Sequence, residues 1–531
     1  MKRRNFIKLS SVAGISATFF PFINCANPDK STLAGDFELS EITIGGLQNK
    51  MKSGDLTARS ITQMYLDQIA ITDKAGPKIN AIIELNPDAL AIADSLDEER
   101  KSGKVRGPLH GIPVLIKDNI DTADKMQTTA GSLALEGNIA STDAFIVLQL
   151  RKAGAVVLGK TNLSEWANFR SSRSSSGWSS RGGQTKNPYI LDRSPCGSSS
   201  GSGAAVAANL CVVAVGTETN GSIACPASMN GIVGIKPTVG LVSRTGIIPI
   251  SKTQDTAGPL ARSVTDAAIL LTVMAGADSN DPVTSESKGR EQTNYAQFLD
   301  KNGLRGKRIG VEKTFLKKHE GMDNLLQKAL EQMKKLGAEI IEIEFIEMND
   351  TDGAESDVLQ YEFKDGVNKY LAHANSKVKS LEEVIAFNKQ NEAKVMPDFK
   401  QETLEESQAK GDLTDEEYLA ALAKITNVRK LIDNELKKNN LDALCGPATG
   451  PSWCIDPVNG DSWTGYGAYG PAALAGYPSV TLPMGKIKEL PVGISFFGKA
   501  YDEPGLISIA FAYEQASKNR TVPTFKPSIS G

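Results

Sequence analysis

Two hydrophobic periods alternate along this chain. Helical spacing runs from near Glu38 through ITIGGLQNKMKSG, then through SITQMYLDQIAITDK, where Ser60 reads as the N-cap. Residues 108–118 predict a turn feeding a strand at 114–117. Residues 144–152 predict an amphipathic helix, and the following AVVLG a buried strand. The next unit predicts a loop at 194–203, a small-residue helix at 204–209 and a strand in CVVAVGTE. Helices alternating with short apolar strands predict α/β layering.

The pattern changes between about 290 and 440, where Lys and Glu dominate. Helical runs there include NLLQKALEQMKKLGAEI, flanked by the strand-like RIGVEK and EIIEIEF, and EEYLAALAKITNVRKLIDNELKKN. Strand-like spacing returns at DALCGPATGP and YPSVTLPMG. The chain thus reads as one large domain over 37–520 that leaves its α/β core for a helix-rich subregion, which packs beside that core and covers it. Residues 1–25 have a basic start, an apolar middle and a small-residue end, as an export signal does. Arg3 and Arg4 within RRNFIK resemble a twin-arginine motif, and Cys25 sits where a lipidated cysteine follows an apolar run. A polar linker at 26–36 completes this end. The expected location is therefore the periplasm or a lipid anchor on the membrane.

Composition narrows the function. The 531 residues carry a net charge of −3, which favours neither a nucleic-acid partner nor an acidic membrane surface. The six cysteines are scattered without a CxxC pair, so neither a zinc site nor a disulfide framework is expected. Cys211 and Cys225 lie in apolar runs and read as inert core residues; Cys196 borders a serine-rich loop. The three histidines, His110, His319 and His373, offer weak support for a Ser–His–Asp arrangement, because no group is evident to orient His110. The run GAVVLGKT at 154–161 fits the phosphate-loop pattern only literally. Its four central residues are themselves the strand, whereas a phosphate loop needs the strand to come first.

Three runs carry candidate chemistry: GIPVLIKDNID with Lys117, SPCGSSSGSGAAVAAN with Ser198, and VAVGTETNGSIACPASMNG with Ser222. A lysine ending an apolar strand, if buried, loses its proton more readily and becomes a usable base near neutral pH. A glycine-serine loop running directly into a helix lets the backbone approach a ligand.

Together the three runs resemble the amidase signature family, whose members cut amide bonds with a Ser–Ser–Lys triad. The resemblance implies a mixed central sheet wrapped by helices, with no metal or organic cofactor. It implies Ser222 as nucleophile, Ser198 as proton shuttle after a cis Gly197–Ser198 bond, and Lys117 as base. It also implies an oxyanion hole from the backbone N–H groups of Thr219, Asn220, Gly221 and Ser222. Asn220 stands where the family usually has a glycine, and Glu218 where it has an Asp; asparagine's tolerance of unusual backbone angles would preserve the loop. The runs NLSEWANFRSS and GPSWCIDPVNGDSW are similar to the subgroup containing bacterial peptide amidases. Trp166, Phe169, Trp453 and Trp463 are the expected substrate contacts, with Tyr466 and Tyr469 nearby. The expected substrate is a peptide C-terminal amide or another small amide, releasing ammonia or an amine. Two rivals remain: the glutaminase subunit of a tRNA-dependent amidotransferase, and a non-catalytic amide-binding protein of the same fold.

Overall fold

The computed structural model describes residues 37–529 apart from 317 and 345–350. The expected export segment with Arg3, Arg4 and Cys25, and the linker to residue 36, lie outside the described residues. The strands in chain order are β1 (Ile82–Leu85), β2 (Pro113–Lys117), β3 (Val156–Thr161), β4 (Trp178–Ser179), β5 (Gly183–Gln184), β6 (Val213–Glu218), β7 (Val233–Lys236), β8 (Thr256–Ala261), β9 (Arg308–Glu312), β10 (Glu339–Ile343), β11 (Ala443–Pro447), β12 (Ser479–Ile487) and β13 (Leu490–Phe497). Eleven of them form one sheet in the order β1-β3-β2-β6-β8-β7-β12-β13-β11-β9-β10, and β4 and β5 form a separate two-stranded sheet. The sheet is mixed: β2 runs parallel to β3 and β6, and β9 parallel to β10 and β11. The middle strands pair antiparallel. Every residue of β2, β3 and β6 is buried, as continuous apolar runs covered on both faces require. The fold is the α/β arrangement of a mixed sheet flanked by helices.

Two local expectations need correcting. The helix Ala58–Gln68 is capped by Thr57 rather than Ser60. Thr57 Oγ1 accepts from Ser60 N at 3.1 Å and Ser60 Oγ accepts from Thr57 N at 2.9 Å, so Ser60 is the reciprocal partner inside the first turn. The small-residue helix spans Ser200–Ala207, so the last residues of the expected loop are its first turn. Small size outweighs poor helix propensity here. A methyl group on Gly201 would run into Ala81 O and come within 2.5 Å of Asn162 O, so only glycine lets the helix lie this close to its neighbours.

The lysine- and glutamate-rich stretch first adds β9 and β10 to the sheet edge, with helix Glu320–Lys335 between them. It then forms Asp352–His373, Leu381–Gln390, Glu402–Ala409, Glu416–Thr426 and Val428–Lys438. The last two, one continuous run by pattern, break at Asn427. These helices have hydrophobic clusters of their own. One joins Tyr361, Tyr418, Ile425 and Ile432; another joins Phe363, Val367 and Leu371 to Trp166 and Ile250 of the core segments.

Candidate active site

Lys117 ends β2, and Thr217 stands near the end of the parallel neighbour β6, so both occupy carboxyl ends of adjacent strands, where α/β sheets place their ligands. Lys117 is fully buried. Its Nζ donates to Ser198 Oγ at 2.7 Å, Thr217 Oγ1 at 2.8 Å and Thr217 O at 3.3 Å. Burial away from water pushes its pKa down to about 7, against the opposing pull of Asp255 and Glu218. The ammonium is therefore half deprotonated near neutral pH.

The serines of the second loop divide by partner. Ser199 Oγ donates to Thr217 O at 3.0 Å, Ser200 Oγ to Cys196 O at 2.6 Å, and Ser202 Oγ to Val215 O at 3.0 Å. These three hold backbone; Ser198 alone among them meets Lys117. The Gly197–Ser198 peptide bond is cis.

Ser222 follows β6 by a tight loop. Glu218 Oε2 accepts from Ile223 N at 2.7 Å and Ala224 N at 2.9 Å, folding the loop back over the strand end. Gly221 takes φ +84°, and a methyl group there would strike the Tyr469 ring at 2.5 Å. Asn220 is not in the left-handed region, so its backbone needs no special tolerance. Its side chain is what is used, donating to Glu355 Oε1 at 2.8 Å. Among the described residues, Ser222 Oγ has no hydrogen-bond partner, and the N–H groups of Thr219, Asn220, Gly221 and Ser222 have no acceptor.

Ser222 and this loop face a cavity of about 210 Å³. Phe169, Trp453 and Trp463 line it, with Ile250, Leu359 and Tyr469. Trp453 and Trp463 meet edge to face at 5.9 Å, and Trp463 is 53 % exposed at the rim. Trp166 does not line it. Consecutive left-handed residues, Trp166 to Asn168, turn the chain so that Trp166 packs edge-on against Phe363 in the core while Asn168 and Phe169 reach the cavity. Tyr466 is likewise buried away from the lining.

Several contributors were not anticipated. Asp461 lines the cavity and accepts from Ser176 N at 3.0 Å and Trp453 Nε1 at 2.8 Å. Asp255 accepts from Thr219 Oγ1 at 2.6 Å, Ile250 N at 2.8 Å and Ser251 N at 2.9 Å, and burial pushes its pKa up to about 6. Cys196 and Cys225 also line the cavity and are joined as a disulfide, which corrects both the expectation of no disulfide and the reading of Cys225 as inert core. The five cysteines beyond Cys25, odd in number and without CxxC spacing, concealed this pair; Cys211, Cys445 and Cys454 are free.

The alternatives to a lysine site lie elsewhere. His110 is buried before the amino end of β2, with Nε2 3.0 Å from Leu96 O, the far end of the strand from Lys117. His319 caps the helix Glu320–Lys335, and His373 accompanies the Lys369 carbonyl on the surface. Lys160 of the false phosphate loop is buried in β3 and donates to Thr128 Oγ1 at 3.0 Å. Among the described residues no cluster of three or more His, Cys, Asp or Glu could hold a metal ion.

Comparison with known proteins agrees with this geometry. The Amidase family profile matches residues 60–507. A probable amidase of Arabidopsis thaliana is 41 % identical, with 93 % of each chain covered. The crystal structure of native peptide amidase from Stenotrophomonas maltophilia superposes with a TM-score of 0.88 at 50 % identity, covering 92 % of this chain and 99 % of that one. A component of the glutamyl-tRNA(Gln) amidotransferase from Thermoanaerobacter pseudethanolicus is 35 % identical, covering 92 % and 98 %. A family match across most of the chain, on a fold and a buried lysine–serine pair of this kind, makes the protein a member of the amidase signature family and a hydrolase of amide carbon–nitrogen bonds.

Proposed function

We propose that the enzyme removes the amide from C-terminally amidated peptides or similar small carboxamides through a serine acyl-enzyme. The observation that carries this is the 2.7 Å bond between buried Lys117 and Ser198, next to a cavity into which the unpartnered Ser222 opens. Ser222 Oγ attacks the carbonyl, and Ser198 takes its proton as neutral Lys117 accepts one from Ser198. The N–H groups of Thr219 to Ser222 hold the oxyanion; one such donor is worth on the order of 3 kcal/mol of barrier. The relay then runs backwards, delivering a proton to the departing ammonia. Water hydrolyses the ester by the same groups in reverse.

The cavity lining supports a peptide-like acyl group over free glutamine. It is largely aromatic and aliphatic, includes the carboxylate of Asp461, and among the described residues contains no Lys, Arg or His to pair with a substrate carboxylate. Glutamine's α-carboxylate would lie there uncompensated. A newly formed peptide carboxylate would be repelled, which favours product release. The resemblance to peptide amidase, which covers 92 % of this chain, supports the same reading.

The amino-terminal pattern supports export by the twin-arginine route to the periplasm, with lipidation at Cys25 as a membrane anchor. Replacing Arg3 and Arg4 by Lys should leave active protein in the cytoplasm, and Cys25→Ser should release it from membranes.

The test of mechanism and substrate is ammonia release from peptide amides, simple acyl amides, aryl amides and glutamine, with no partner protein added. It is read beside labelling by a fluorophosphonate probe. Peptide amides should turn over fastest, with the label on Ser222. Label on Ser198, or a preference for glutamine, would overturn the reading.

A further inference from the structure

Asn220 departs from the family pattern at the residue where the backbone is expected to stabilise developing charge. Its φ does not explain the departure; its side chain does. Glu355, in the first turn of helix Asp352–His373, accepts from Asn220 Nδ2 at 2.8 Å and from Gln254 Nε2 at 2.8 Å. Gln254 Nε2 also reaches Thr219 O at 3.5 Å. Its neighbour Asp255 takes the Thr219 hydroxyl at 2.6 Å. Thr219 and Asn220 are thus gripped from outside by two segments, the 250–255 turn and the helix. One turn further along that helix, Leu359 lines the cavity. The same helix packs Phe363 against Phe169 at 4.9 Å, and Phe169 lines the cavity as well. Part of the lysine- and glutamate-rich helical region is therefore built into the walls of the candidate site.

We propose that Glu355 is a positioning residue: by accepting the Asn220 side-chain amide it sets the 219–222 loop, and so ties transition-state stabilisation to the docking of helix Asp352–His373. A glycine at 220 has no side chain to hold. The loop would then be held from outside by Glu218, Gln254 and Asp255, without the tie to the helix through residue 220. The inference rests on the reading of 219–222 as the oxyanion loop. Its requirement is for an acceptor oxygen at position 355, not for a negative charge, because a full charge beside a developing oxyanion opposes it.

The experiment measures kcat and KM for ammonia release from a peptide amide, with the melting temperature and the rate of fluorophosphonate labelling, for Glu355→Gln, Glu355→Ala, Asn220→Gly and the Glu355→Ala/Asn220→Gly pair. Misplacing a reacting group by about 1 Å costs on the order of a hundredfold in rate. Glu355→Ala and Asn220→Gly should therefore each lower kcat by roughly tenfold to a hundredfold with KM nearly unchanged, and labelling should slow in parallel. Glu355→Gln, which keeps an acceptor oxygen for both donors, should restore most of kcat. The double variant should be no slower than the worse single one, as members of one contact behave. Glu355→Ala within twofold of the parent, Glu355→Gln as slow as Glu355→Ala, or multiplicative losses in the double variant would each overturn the proposal. Should the alanine variant melt too low to assay, the glutamine and glycine variants alone decide. Failure of the underlying reading would show separately: in that case the parent enzyme would not be labelled at Ser222 at all.

Discussion

The two ends of the active site are built on different principles. Around Lys117, Ser198 and Ser222 the chain uses small residues and backbone: three loop serines bond to carbonyls, a carboxylate folds the Ser222 loop, and Gly201 lets a helix press against its neighbours. Across the cavity, the 352–438 helices contribute through bulky side chains that interlock with each other and with the 166–169 turn. In the proposed mechanism the first region sets where protons and charge go. The second lends the cavity Leu359 directly and otherwise bears on its shape through the 166–169 turn that it packs against. Chemistry is thus carried by short local motifs, and the packing around the cavity by contacts between distant segments.

The contrast is broken most severely from the chemical side. Ser222→Ala should cost several orders of magnitude in kcat while leaving the melting temperature within a few degrees, measured by ammonia release and thermal unfolding. Lys117→Arg should be comparably inactive, since a guanidinium stays charged at any pH the enzyme survives; a near-normal rate in that variant would remove lysine from the mechanism. From the packing side the pattern should invert. Phe363→Ala deletes a fully buried ring and should cost about 3–5 kcal/mol of stability. It should raise KM through the loosened 166–169 turn more than it lowers kcat.

A gentler probe is pH. As the proposed base, Lys117 accepts a proton only when neutral, and burial brings its pKa to about 7, so kcat/KM should rise with pH through a single ionisation near 7 and then level off. The stability effect has the same direction. Between about 7 and the ordinary lysine value of 10.5, the unfolded chain holds a proton that the folded one has released. Lys117 therefore makes stability rise with pH across that window, a slope that Lys117→Met should flatten. The smallest expected effect is that of Asp255→Asn. The amide can still accept from Ile250 N and Ser251 N, and Thr219 can turn its hydroxyl to accept, so the fold is spared. Loss of the negative charge that holds the Lys117 pKa up should move the kinetic midpoint to lower pH by less than about one pH unit.

Legibility in the sequence follows the same division. The α/β alternation, β2, β3, β6 and the runs bearing Lys117, Ser198 and Ser222 were readable because each is encoded within a dozen residues. Glu355, Asp255 and Asp461 were not, because each reaches the site from a distant segment and nothing in its own neighbourhood marks it. Glu355 lies 135 positions from its partner Asn220. Trp166 misled because aromatic residues in a loop-like run say nothing about side-chain direction; a left-handed turn sends it inward and its neighbours Asn168 and Phe169 outward. The 416–438 run looked like one helix because its apolar period continues through Asn427 almost without a phase change.

The bond between Cys196 and Cys225 has a topological consequence. The two cysteines are 29 positions apart, and Ser198 and Ser222 both fall between them, so the proposed shuttle and nucleophile belong to one covalent ring. Closing a ring of that length removes chain entropy worth about 3–4 kcal/mol from the unfolded state on the loop-closure estimate. A single backbone cut anywhere from residue 197 to 224 would open the ring without parting its halves. Both serines would stay tethered to the same sulfur pair, so in an oxidising compartment the two loops could separate only if the sulfur bridge were broken as well.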